Sequence, residues 1–305
     1  MHFHVVTLFP EMIESSLSIG VVGQALKDQR VKLSTLTPRE FTSDVHHSVD
    51  DRPFGGGDGM IMMGEMLKKS IEALRTRGAG PDAKVIHLSP RGRPLTDTLV
   101  RELAEQTAAS GHVILIASRY GGVDQRFLNE CVDQEISIGD YILSGGELGA
   151  LVLMDAMSRH SPGVVGNDRS IEQESFADGL LEHPQFTRPR EWEQRPVPDA
   201  LLTGHHLQIQ RWKAELSLLV TLDRRPDLLS DDKIKNVRVL GEPLSRRFLE
   251  GARQTVKEMN EEERKNCGLS LSESLSLRLD AIILSAPKDS KPRSGAQTGS
   301  GKPQP

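Results

Sequence analysis

The sequence predicts an α/β fold, with a largely parallel sheet in the first half followed by a small all-helical domain. Three observations carry this. Short apolar runs alternate with helical stretches through the first 160 or so residues, as a parallel sheet with crossover helices requires. The alternation stops after Pro162, and from about Asp178 onward only helical patterns follow. At 305 residues, 37% of them hydrophobic and 27% charged, the chain is long enough for two cores.

The elements follow in order. His4–Phe9 reads as a strand, and Pro10–Leu17 as a helix opened by its proline. Val31–Leu36 is a second strand, after which Thr37-Pro38-Arg39-Glu40 has the pattern of a capping box. Gly64–Arg77 places Met66, Leu67, Ile71 and Leu74 on one helical face. Lys84–Leu88, His112–Ala117 and Gln134–Ile138 read as strands; Thr96–Ala108, Asp124–Cys131 and the broadly apolar Gly146–Arg159 read as helices, the last of them buried. Further helices are expected at His205–Asp223, Pro243–Lys257 and Ser272–Leu284. The expected organisation is a sheet domain over residues 1–162, a polar aperiodic linker over 163–177, a helical domain over 178–284, and a disordered tail over 285–305 with almost no apolar residues.

Composition excludes several classes. A net charge of −5 argues against coating nucleic acid by bulk charge, though not against a local basic face. Two cysteines, Cys131 and Cys267, cannot make a disulfide framework or a four-cysteine zinc site. The start Met1-His2-Phe3-His4 lacks the basic stretch and apolar run of a signal peptide. The most apolar helix candidate, Leu148–Met157, contains Asp155 and falls short of the roughly 20 residues that span a bilayer. A cytoplasmic protein with no membrane segment is expected.

Ligands of parallel sheets bind beyond the carboxyl ends of the strands. Three polar, glycine-rich loops leave those ends: Ser89-Pro90-Arg91-Gly92, Ser118-Arg119-Tyr120-Gly121-Gly122, and Gly139 through Gly146. One such loop would suggest a tight turn; three at successive strand ends point to a shared ligand site. The dinucleotide fingerprint fails, because Ser144 stands where the first glycine of Ser144-x-Gly146-x-x-Gly149 should be. Gly55-Gly56-Gly57-Asp58-Gly59 has no phosphate-loop lysine after it.

At this level of detail the chain resembles the bacterial tRNA (guanine-N1)-methyltransferases. The resemblance rests on Asp50-Asp51-Arg52-Pro53-Phe54-Gly55-Gly56-Gly57-Asp58-Gly59-Met60, Leu88-Ser89-Pro90-Arg91-Gly92, Ser137-Ile138-Gly139-Asp140-Tyr141-Ile142-Leu143-Ser144-Gly145-Gly146-Glu147 and Ser175-Phe176-Ala177-Asp178-Gly179-Leu180-Leu181. Pro184–Pro189 and Gly204-His205-His206 extend it, so that order and spacing match from residue 1 to about 229.

That resemblance implies a knotted α/β domain of the SPOUT class, a homodimer, S-adenosylmethionine as methyl donor, and tRNA as substrate, methylated at N1 of guanosine 37 beside the anticodon. The implied donor contacts are Leu88, Ser89, Gly92, Ser118, Tyr120, Ile138, Gly139, Asp140, Tyr141, Ile142, Leu143, Gly145 and Gly146. Guanine N1 carries a proton at neutral pH, so methylation needs a base against N1–H and a cation for the charge that builds on O6. The resemblance assigns these roles to Glu174 and Arg159, with Asp178 and Glu182 as nearby supporting acids. It also implies Mg²⁺, for which a loosely held hydrated ion suffices, since no dedicated metal site is legible.

The chain departs from the family pattern at Glu174, where aspartate is expected, at Ser118, Gly121 and Gln125 of the second loop, and at Gly149, where proline is usual. A SPOUT enzyme acting on another RNA site and a non-catalytic RNA-binding homologue therefore stay open as alternatives. Candidate phosphate contacts are Arg188, Arg190, Arg195, Arg211 and Lys213, with Trp192 and Trp212 as candidate stacking residues. The pairs His46-His47 and His205-His206 have no acid or cysteine at ligand spacing.

Overall fold

The computed structural model describes residues 1–166, 174–270 and 273–286. The chain divides into two compact units, residues 1–171 and 172–305. Residues 167–173 of the expected linker and 287–305 of the expected tail lie outside the described residues.

The first unit holds a five-stranded sheet in which every strand pairing is parallel. Its strands are β1 (His2–Val6), β2 (Lys32–Leu36), β5 (Lys84–Pro94), β6 (His112–Ile116) and β7 (Gln134–Ser137), in the order β2-β1-β6-β5-β7. The predicted α/β class is the observed one. β6 beyond His112 is apolar on both faces, and β1 is apolar on one face and carries His2, His4 and Val6 on the other, both faces being covered. Phe3, Val5, Val113 and Leu115 point into one core with Ile13, Leu99, Leu103, Leu153 and Met157. Val6, Ile114 and Ile116 point into the other with Leu67, Ile71, Leu74 and Phe127.

The covering helices are α1 (Pro10–Ser16), α2 (Gly20–Lys27), α3 (Gly64–Leu74), α4 (Asp97–Ala108), α5 (Gln125–Cys131) and α6 (Glu147–Ser158). The Thr96 side chain caps α4 by accepting from Leu99 N, and Asp124 caps α5 by accepting from Arg126 N.

Several expectations need correction. The pattern at Thr37 yields a short 3₁₀ turn, Pro38–Phe41, in which Thr37 accepts from Arg39 rather than closing a capping box. The helix α2, between the first two strands, has no sequence expectation behind it; Gly20 and Gly23 in an eight-residue helix leave little apolar period to read. α6 is not buried all round, for Leu148 and Val152, one turn apart, are exposed. Asp50–Asp51 (β3) and Ile61–Met62 (β4) form a minimal antiparallel ladder that closes the loop carrying Gly55, Gly56, Gly57 and Gly59. All four of these glycines have positive φ, which L side chains adopt only with strain.

β5 runs six residues past the expected strand, and the reason bears on the site. Ile136 of β7 has two parallel partners, Leu88 and Arg93. A strand residue takes one partner on each edge. The chain between residues 88 and 93 therefore crosses over β7 from one edge to the other. Gly92 sits at the crossing, where an added Cβ would lie 2.3 Å from Ile136 N. Gly92→Ala is expected to cost about 3 kcal/mol, the upper end for overpacking, because backbone meets backbone. A thermal or urea melt of the variant checks this, and a melt matching the parent would show that the crossing can relax.

The second unit is helical around its own core: α7 (His206–Arg224), α8 (Arg246–Glu258), α9 (Glu261–Asn266) and α10 (Glu273–Ser285). Leu216, Leu219, Leu249, Ala252, Val256, Leu275 and Leu279 meet in that core. Asn260 and Glu263 make a reciprocal capping box at the start of α9. Two minimal hairpins interrupt the helices, Glu191–Trp192 with Arg195–Pro196 and Arg238–Val239 with Glu242–Pro243, so the unit is not purely helical. Two-residue strands carry too little alternation to show in a sequence.

Candidate functional site

The three loops expected to share a ligand do come together. At the carboxyl ends of β5, β6 and β7 they enclose a cavity of about 570 Å³, within the range of small-molecule sites. Leu88, Ser89, Ser118, Tyr120, Ile138, Gly139, Tyr141, Ile142, Leu143, Gly145 and Gly146 all line it. Gly92 and Asp140 are not among the lining residues: Gly92 is taken up by the crossing over β7, and the Asp140 side chain is exposed. Gly121, Gln125 and Gly149, positions of departure from the family pattern, line it too.

Each loop is held by identifiable contacts. Gly146 N donates to Ser118 O at 2.8 Å, and Arg119 bridges to Gly145. A Cβ at Gly146 would lie 2.8 Å from Ala117 Cα, so only glycine lets the third loop approach the second this closely. Gly121 N donates to Met60 O and Met62 N to Gly122 O, which joins the β3–β4 loop to the second of the three loops. Tyr120 has a φ of 60°, a left-handed conformation that strains a non-glycine residue, and it lines the cavity.

Four supporting residues lay outside the sequence-based assignment. Glu147, 1% exposed at the start of α6, accepts from Thr7 Oγ1 at 2.9 Å and pairs with Arg119 Nε at 2.9 Å. Arg119 also donates to Ser144 O at 3.2 Å and stacks over the Phe9 ring, 4.4 Å from its centroid. Arg119 therefore ties the second loop, the third loop and the start of α6 together. His87, 3% exposed beneath the cavity, contacts Ser118 Oγ at 2.8 Å and Glu135 Oε1 at 3.0 Å. Burial pushes its pKa below the usual histidine value, against the opposing pull of Glu135. The signal for Glu147 is an acid at the start of a largely apolar helix; Thr7, Arg119 and His87 are recognisable only through their partners.

Arg159 lies at the end of α6, in the first unit, with its backbone N–H directed at Asp155 O. Glu174 lies in the second unit, at the foot of a compact turn. Ala177 N donates to Glu174 O, Glu182 N to the Ser175 hydroxyl, and Leu181 N to Thr221 Oγ1 of α7. Phe176 and Gly179 in this turn both have positive φ. Of the candidate RNA contacts, Arg211 is committed to the buried carboxylate of Glu215 at 2.9 Å, and Trp212 packs against the second core. Trp192 instead stands exposed on its hairpin with the Arg195 guanidinium 4.5 Å from its ring centroid.

The chain matches the family model described as tRNA (Guanine-1)-methyltransferase TrmD over residues 1–231. It is 50% identical over 231 residues to a protein of Shewanella oneidensis, covering 76% of this chain and 91% of that one. A protein of Nitrosospira multiformis is 49% identical over 232 residues, 75% of this chain and 89% of its own. One from Pseudomonas savastanoi is 48% identical over 229 residues, 75% and 90% of the respective chains. Each of the three is named tRNA (guanine-N(1)-)-methyltransferase. With a family match running from the first strand through α7, and with about half of the aligned residues identical in relatives covered almost end to end, this chain belongs to the tRNA (guanine-1)-methyltransferase family.

Proposed function

We infer that this protein transfers a methyl group from S-adenosylmethionine to N1 of guanosine 37 of tRNA. The carrying observation is the cavity at the ends of β5, β6 and β7, lined by residues that the family resemblance assigns to the donor. The residues fit such a group: glycine-walled loops offer backbone N–H and C=O groups to polar edges, while Leu88, Ile138 and Leu143 offer apolar surface to a ring. When bound, the donor supplies an electrophilic methyl group. Glu174 removes the N1 proton as general base, and Arg159 stabilises charge on O6 while staying protonated throughout. A hydrated Mg²⁺ held loosely through water is compatible with this chemistry.

In this reading the first unit is the donor-binding domain and the second recognises tRNA. The exposed Trp192 over Arg195 suits stacking on an unpaired base, and Arg188, Arg190 and Lys213 suit phosphates. The crossing of residues 88–93 over β7 supports the trefoil-knot threading of the SPOUT class. Leu148 and Val152 on the outer face of α6, with Phe9 and Ile142 also exposed, support a homodimer of this unit. No helix among the described residues is long and apolar enough to cross a membrane.

The test is methyl transfer from radiolabelled donor to an unmodified tRNA transcript with guanosine at positions 36 and 37, followed by nucleoside analysis. Label in 1-methylguanosine is the expected result. Label in another nucleoside would favour action at a different RNA site. Binding of donor and tRNA without label would favour a non-catalytic homologue. In the same system tRNA affinity should fall linearly with salt on logarithmic axes, and a flat response would remove the phosphate contacts.

A further inference from the structure

Three histidines meet at the opposite end of the sheet from the donor loops. His2 and His4 lie on one face of β1, two residues apart. His112 opens β6 and pairs in register with His2. The His2 and His4 ring centroids are 4.0 Å apart, and each lies 5.3 Å from that of His112. One ring nitrogen from each residue lies within 4.8 Å of the other two.

His4 is 3% exposed. Its Nε2 meets Nδ1 of His112 at 3.0 Å, but its Nδ1 is buried with no hydrogen-bond partner among the described residues. Position 4 faces the same core as Val6, where an aliphatic side chain would leave no polar atom unsatisfied. A buried imidazole with one orphaned nitrogen is disfavoured unless something binds the cluster.

We propose that His2, His4 and His112 bind a late first-row divalent cation, with Zn²⁺ as the fitting ion, and so tie β1 to β6. Imidazole is a preferred ligand for Zn²⁺, and three of them leave a fourth position for water. The half-buried His2 and His112 leave the cluster a solvent side from which that water can enter. In a tetrahedral site with Zn–N bonds of about 2.0–2.1 Å, ligand nitrogens are ~3.3 Å apart. The candidate ligand atoms, one per residue, lie within 4.8 Å of one another, and ring rotations that turn Nδ1 of His4 towards the ion can close them to that spacing. Lys32 and the terminal amine near His2 oppose a cation, so the expected affinity is micromolar rather than that of a four-thiolate site.

The full-length protein, carrying no affinity tag and stripped by chelator, would be titrated with ZnCl₂ by calorimetry and with Co²⁺ by visible absorption. The expected result is one ion per chain, Co²⁺ bands characteristic of nitrogen ligation, and a melting temperature that rises with Zn²⁺. His2→Asn and His112→Asn should each weaken binding by ~10-fold or more, as loss of one ligand in three implies. His46→Asn, at an exposed histidine elsewhere, should bind like the parent. Should His4→Val fail to fold, the two asparagine variants still decide the matter. Equal Zn²⁺ affinity in the parent and His112→Asn overturns the site, as does the absence of binding at ~100 μM free Zn²⁺.

Discussion

Glu174→Gln is expected to lower single-turnover methylation of guanosine 37 by ~10²–10⁴-fold, the range that a general base contributes. The amide keeps the size of the side chain but cannot accept the N1 proton. The bonds from Ala177 N to Glu174 O, from Glu182 N to Ser175 Oγ and from Leu181 N to Thr221 Oγ1 that shape this turn do not use the Glu174 carboxylate. Affinities for donor and tRNA should therefore stay within about twofold of the parent, which places the loss on the chemical step. Glu174→Asp removes one methylene, about 1.5 Å of reach, and restores the family's usual residue. Activity in that variant at or above the parent level is expected if the surrounding turn can move by that amount. An unchanged rate for Glu174→Gln would take the residue out of the mechanism and make Asp178 and Glu182 the next acids to test.

Glu147→Ala should produce the largest loss of stability among the residues around the cavity. It leaves Thr7 without its acceptor and Arg119 without its carboxylate. Breaking a buried pair from one side costs about 3–5 kcal/mol, and the low end applies because the Arg119 side chain is 21% exposed. For a unit of this size that corresponds to a fall of roughly 10 °C in melting temperature. Donor affinity should fall with it, since Arg119 holds the Ser144 carbonyl and thereby the third loop. Glu147→Gln, which can still accept from Thr7, should fall between the two. A melt within about 1 °C of the parent, with unchanged donor binding, would show that Arg119 finds another partner.

The arrangement around Glu147 also separates what was legible in the sequence from what was not. The three loops were legible because glycine and small polar residues cluster after apolar runs, and a parallel sheet gathers such loops at one end. Eleven of the expected donor positions, from Leu88 to Gly146, line one cavity for that reason. The resemblance implies a ligand contact at Gly92, and the packing gives that glycine a further task, letting one stretch of backbone pass over another. Local pattern could not show this, because the crossing depends on which edge of β7 the chain reaches. The hairpin carrying Trp192 was invisible for a simpler reason: two residues per strand make no period.

The amino-acid sequence by itself determined the α/β class, the order of the major strands and helices, the family, and which loops meet around one cavity. These follow from short-range periodicity and from motifs read along the chain. Only the tertiary structure decided that Glu147, Arg119 and Thr7 lock those loops together, and that residues 88–93 cross β7. It alone brought His112 beside His2 and His4, 108 residues after the later of the two. The physical reason is common to all of these cases. A hydrogen bond, an ion pair or a ligand set is a relation between residues distant in sequence, and parallel strand pairing, which needs long crossovers, sets those distances only once the whole sheet has formed.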